Sequence, residues 1–164
     1  MKKNILNDLL ETDLQYLYNT EKQIVKAMVK FHKVAADPDL RKAIQELLER
    51  SKVHILNLES VFEDLKFNKK GKKSKGMEGI LEEAQEIVSK SGRTQPNVVD
   101  AALIGTIQRA LHYKIATYRL LKTYAKLLDK QYVAELLDNS LDEDIRSDRK
   151  LLRIATRRVN PFLK

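Results

Sequence analysis

No cysteine occurs in the 164 residues, which excludes disulfides, thiolate metal sites and cysteine nucleophiles and fits a reducing compartment. Glycine and proline are scarce, five and three, while Leu, Lys, Glu and Ala abound; this balance favours helix and leaves little place for strands. No stretch approaches the roughly 20 apolar residues needed to cross a bilayer. The N-terminal stretch meets acidic residues within its first turns and lacks the apolar run of a signal peptide, so the expected address is the cytoplasm, with no membrane partner. Glycine-rich phosphate loops, paired-histidine zinc-protease motifs and serine nucleophile elbows are missing as well.

What is present is helical punctuation. A first helix is predicted over about 4–34. Asp37 and Pro38 then supply an N-cap and an N1 proline for a second, about 38–66. A lysine-rich loop with Gly71 follows, then a short amphipathic helix over about 77–90. Pro96 opens a third long helix, about 97–128, and a fourth runs over about 130–159 to Asn160-Pro161. The chain fits one domain, 1–164, long enough to bury a core. Short links within each pair of long helices make antiparallel hairpins, and the connection over 67–96 is long enough to traverse the bundle. The predicted fold is all-α: a ferritin-like four-helix bundle with a long crossover carrying a short extra helix. The competing fold is an up-and-down bundle with the short helix at one end.

The formal charge of +8 is uneven: residues 66–75 hold six lysines, and Arg146, Arg149, Lys150, Arg153, Arg157, Arg158 and Lys164 crowd the C-terminal end. Neither segment interleaves aromatics or carries a recognised DNA-binding motif, so solvated surface is the expectation and non-specific nucleic-acid binding the lesser reading.

The informative positions lie inside. Inward-facing stripes read Leu10, Leu14, Leu17, Glu21, Ile24 and Met28 on the first helix, and Leu137, Leu141, Asp144, Asp148 and Leu151 on the fourth. Carboxylates at mid-stripe need compensation by a metal, a cation or a hydrogen-bond network. Dimetal carboxylate bundles take a Glu from each of two helices and Glu-x-x-His pairs from the others. Here the third helix offers Leu111 at the centre of its buried face and Lys114 about half a right angle away, and neither is an ordinary ligand. On the second helix, Ser51 lies on the stripe, with Arg50 and His54 on its flank. Two readings therefore compete. In the first, Glu21, Asp144 and Asp148 pair with Lys114 and Arg50 in a buried ion-pair network that takes the electrostatic place of a metal. In the second, Glu21, His54, Asp144 and Asp148 hold iron or manganese for ferroxidase-like or peroxide-consuming chemistry. Of the remaining histidines, His32 is read as a surface or capping residue and His112 as meeting the crossover. Tyr118 is the tyrosine placed to bring a hydroxyl near the acids.

The chain resembles the YciF/YciE-like bacterial stress proteins, a branch of the ferritin-like superfamily. The likeness rests on Asn19-Thr20-Glu21-Lys22-Gln23, the crossover stretch from Met77 to Ala84, Asp100 to Ile104 with Gln108 and His112-Tyr113, and Leu141 to Asp144 with Asp148. The resemblance implies a homodimer and a carboxylate-bridged metal site. Its third helix usually reads Glu-His-Tyr-Glu where this chain has Leu111-His112-Tyr113-Lys114, its second Glu-Thr where Arg50-Ser51 stands, and a cysteine often stands at Gly76. These replacements remove negative charge and add cations where a dication belongs. The expectation is a non-catalytic, stress-associated protein without a cofactor, whose dimetal site has decayed.

Overall fold

The computed structural model describes residues 5–163. The predicted helix start at Asn4 and the basic Lys164 lie outside the described residues. Five α-helices follow one another: α1 (Ile5–Val34), α2 (Pro38–Leu65), α3 (Lys75–Lys90), α4 (Pro96–Leu127) and α5 (Gln131–Ile154). Among the described residues there is no strand, and no helix is long and apolar enough to cross a membrane.

Local chemistry sets the boundaries. The Asp37 carboxylate accepts from the Asp39 and Leu40 amides at 2.9 and 3.0 Å, and Pro38 occupies N1, so α2 starts where its first amides are satisfied. Lys66 and Asp129 adopt left-handed backbone, each with φ 55°, and terminate the helices before them. The Ser74 hydroxyl caps α3 by accepting from the Met77 amide, and Pro96 opens α4. The fourth long helix differs from its predicted extent: α-geometry ends at Ile154, where a π-helical turn (Ala155–Val159) and a 3-10 turn (Asn160–Leu163) take over.

Side-chain pairs fix the helix directions. Glu21 meets His54 and Tyr18 meets Glu59, so α1 and α2 are antiparallel; Lys114 meets Asp144 and Gln108 meets Asp148, so α4 and α5 are too. Tyr118 bonds Glu21 while Asp100 bonds the backbone at Ala36, which sets α4 antiparallel to α1. Helices α2 and α4 therefore run parallel. Their connection must return along the bundle, and α3 does so in the groove of α1 and α4. The backbone of Ser74 is held there by Asn19 and Gln23. This order excludes the up-and-down alternative and gives the single-crossover bundle.

The buried Asp100 carboxylate joins the start of α4 to the turn after α1, accepting from the Ala36 and Asp37 amides at 2.8 Å each. An Asp100→Ala change strands both donors. Thermal unfolding should show a loss of about 1–3 kcal/mol, with Asp100→Asn intermediate; an unchanged melting temperature would show that the turn does not depend on this carboxylate.

Candidate functional site

The bundle has two apolar cores. One is built from residues such as Ile24, Leu47, Leu111 and Leu151, the other from Leu14, Leu58, Leu121 and Leu137. A polar layer at mid-helix separates them: Glu21 on α1, Ser51 and His54 on α2, Lys114 and Tyr118 on α4, Ser140, Asp144 and Ser147 on α5, all buried.

Glu21 Oε1 is the hub. It accepts from the Tyr118 hydroxyl at 2.8 Å and from Lys114 Nζ at 2.9 Å, and faces His54 Nδ1 at 3.2 Å. Lys114 Nζ also donates to Asp144 Oδ1 at 2.9 Å. The Lys114 side chain is 1% exposed, against 0% for Glu21 and 1% for Asp144, so one ammonium is sealed between two carboxylates. His54 Nε2 points the other way, 2.8 Å from Oε2 of the half-exposed Glu143. With both ring nitrogens against carboxylate oxygens, only the imidazolium satisfies the two contacts as a donor.

The titration of the layer follows from these contacts. Burial alone would raise the Glu21 carboxyl, but attraction to Lys114 and the contacts with His54 overcome it and hold the pKa at about 2. Asp144 moves the opposite way. Burial raises it, repulsion from Glu21 adds to the rise, and Lys114, its one hydrogen-bond donor among the described residues, opposes it. Burial would lower Lys114 and His54, yet the carboxylates lift Lys114 above 10.5 and Glu21 lifts His54 above 6.5. Tyr118 is pushed well up by burial and by the neighbouring anions, so its phenol stays a donor. Glu21 Oε2, Asp144 Oδ2, Thr20 Oγ1 and Ser51 Oγ are buried without a hydrogen-bond partner. The space beside Ser51, Leu111 and Lys114 is about 10 Å³, no more than one water requires.

Two residues assigned to the inner network from their spacing do not reach its buried acids. Arg50 stands at the rim, about one-third exposed, where Nη1 donates to Ser147 Oγ at 2.7 Å and Nη2 lies 3.8 Å from Glu46. Its side chain is long enough to leave the interior and remain solvated. Asp148, one turn beyond Asp144, turns toward α4, accepting from Gln108 at 3.2 Å and facing the exposed His112 at 3.2 Å. His112 therefore meets α5 rather than the crossover. Tyr113 makes the crossover contact instead, hydroxyl to hydroxyl with Ser74 at 3.1 Å. His54 is not on a flank but fully buried, and Glu143 was not anticipated. Its only sequence signal was adjacency to Asp144.

Glu21, His54 and Asp144 bring potential metal-ligand atoms within 4.8 Å of one another. Lys114 Nζ is within hydrogen-bond distance of two of the three, in the position a cation bridging them would occupy.

Comparison with known proteins shows what the whole chain is similar to. The family profile described as "Domain of unknown function (DUF892)" matches residues 5–164. Protein YciF of Escherichia coli (strain K12) is 33% identical over 162 residues, covering 98% of this chain and 96% of that protein. The crystal structure of the E. coli stress protein YciF aligns with a TM-score of 0.89 over 98% of this chain and 99% of the other. YcfI of Rhodopseudomonas palustris aligns at 0.84, with 29% identity, over 92% and 96%.

Removing one partner of a buried ion pair leaves an uncompensated charge, so Lys114→Met should cost about 3–5 kcal/mol at neutral pH in chemical denaturation. Without the ammonium both carboxyls become easier to protonate, so the deficit should shrink as pH falls from 7 toward 4; a pH-independent deficit would contradict the pairing. For His54 the folded-state pKa lies above the unfolded value of 6.5, so its stabilisation is complete below 6.5 and is lost as pH rises through the folded value. That alkaline loss should disappear in His54→Gln.

Proposed function

Because the chain belongs to the DUF892 family, whose matched relatives include the E. coli stress protein YciF, we propose that it is a non-catalytic, stress-associated structural or interaction protein. In this reading it is a bacterial, cytoplasmic homodimer whose dimetal site has been replaced by a buried ion-pair layer. The observation that carries the reading is Lys114 Nζ at 2.9 Å from both Glu21 Oε1 and Asp144 Oδ1.

The residues present do not fit a dimetal centre. Such a centre in a ferritin-like bundle draws roughly six carboxylate and imidazole ligands from four helices. The described residues offer one cluster of three, Glu21, His54 and Asp144. Leu111 fills space at the centre of the α4 face, and an ammonium occupies the gap between the carboxylates. Lys114 and a protonated His54 together supply two positive charges, half of what two dications would bring. An ammonium carries no redox chemistry and offers no open coordination position, so the layer stabilises the bundle without supporting oxygen or peroxide chemistry.

The enzyme reading, with iron or manganese on Glu21, His54 and Asp144, has one observation in its favour, the unpartnered Glu21 Oε2 and Asp144 Oδ2. Elemental analysis separates the two readings. Protein purified without chelators and incubated with ferrous or manganous ions should retain less than one tightly held metal per chain, while the Leu111→Glu, Lys114→Glu double variant should gain affinity. Two tightly bound metals in the natural chain would overturn the proposal. So would failure of the double variant to gain affinity while the natural chain already binds.

A further inference from the structure

Where the start of α2 faces the end of α5, the surface opens into a cleft of about 580 Å³, within the size range of small-molecule sites. Five cations line it: Lys42 on α2, Lys150 and Arg153 on α5, and Arg157 and Arg158 on the π-helical turn, with Ile154 as an apolar wall. Their charges are only partly balanced. Arg158 Nε lies 3.0 Å from both Asp37 Oδ2 and Asp39 Oδ2, and Lys150 Nζ lies 2.7 Å from Glu46 Oε2. Five cations thus face three carboxylates, an excess of two positive charges.

The distribution of the pairing matters more than the total. Arg158 and Lys150 are held in place by acids of α2 and its cap. Among the described residues Arg153 and Arg157, from the same cleft, have no carboxylate in ion-pair reach. Their guanidinium donors are uncommitted, and the planar fork of such donors matches phosphate oxygens two at a time. The backbone departs from α-geometry at this point, at the turn Ala155–Val159 that carries Arg157 and Arg158.

We propose that this cleft binds a compact phosphate-bearing ligand of at least two negative charges, a polyphosphate or a nucleoside polyphosphate. Arg153 and Arg157 contact the phosphate oxygens; Arg158 and Lys150 form fixed cationic walls. The proposal does not depend on what occupies the space between Glu21 and Asp144. A cleft in which five cations converge suits a compact anion better than a duplex, whose phosphates are spread along a rod.

The test is calorimetric titration of the full chain with pyrophosphate and separately with ATP, at low salt and at about 0.15 M. Saturable binding of one ligand per chain is expected, weakened about tenfold or more in the Arg153→Gln, Arg157→Gln double variant. That variant should keep its melting temperature, because both positions are exposed. Tighter binding of ATP would assign the nucleotide and equal binding the polyphosphate, each supporting the site. A Lys70→Gln, Lys72→Gln control in the lysine-rich loop should leave the affinity unchanged. Failure of both ligands to bind at low salt, equal weakening by the loop control, or arginine-dependent binding of duplex DNA alone would overturn the proposal.

Discussion

One ammonium, that of Lys114, is shared by the carboxylates of Glu21 and Asp144, and the organisation of the bundle depends on it. The two apolar cores meet at this layer. A shift of α4 by one turn against α1 and α5 would drive Lys114 into hydrocarbon and strand both acids, a mismatch costing several kcal/mol. Hydrophobic packing alone tolerates many exchanges of similar volume. The buried ion pair restricts the register in which α1, α4 and α5 can come together, and Tyr118 and His54 extend the restriction to all four long helices.

The layer also has a direction. Glu21 Oε1 gathers contacts from Lys114, Tyr118 and His54 while Asp144 has, among the described residues, the Lys114 hydrogen bond, so the two acids titrate in opposite senses although they share a cation. As pH falls, the stabilisation from Glu21 is present above 4.5 and is lost toward about 2; protonation of Asp144, whose pKa is raised, works against that loss. His54 links the interior to solvent through Glu143, which keeps the imidazolium paired on both sides. In the proposed reading these contacts perform the electrostatic task of a metal and none of its chemistry.

The fold was largely legible in the chain. Pro38 and Pro96 mark two helix starts, and the length of the 67–96 connection distinguishes a crossover from a tight turn, since only a long link joins parallel helices. The π turn after Ile154 was not legible, because nothing in Ala155 to Val159 disfavours an ordinary helix. At the site, periodicity located Glu21, Asp144 and Lys114 near the buried faces. It could not separate His54 from Arg50: the two lie on the same side of the Ser51 stripe, about 60° and 100° from it. That difference of some 40°, with the reach of the arginine side chain, puts one at the centre and the other at the rim. Asp148 follows Asp144 at helical spacing, yet it turns toward Gln108 and His112, because what a position on one helix meets depends on what the neighbouring helices bring to the same level.

Crystallographic observation of the layer distinguishes an ammonium from a metal between Glu21 and Asp144. Crystals of chelator-free protein soaked in manganous ion, with data collected at the manganese absorption edge, report the ammonium and any metal together. Lys114 Nζ is expected between Glu21 and Asp144, with no anomalous peak within coordination distance of either acid or of His54. An anomalous peak bonded to Glu21 and Asp144, with Lys114 turned away, would contradict that arrangement.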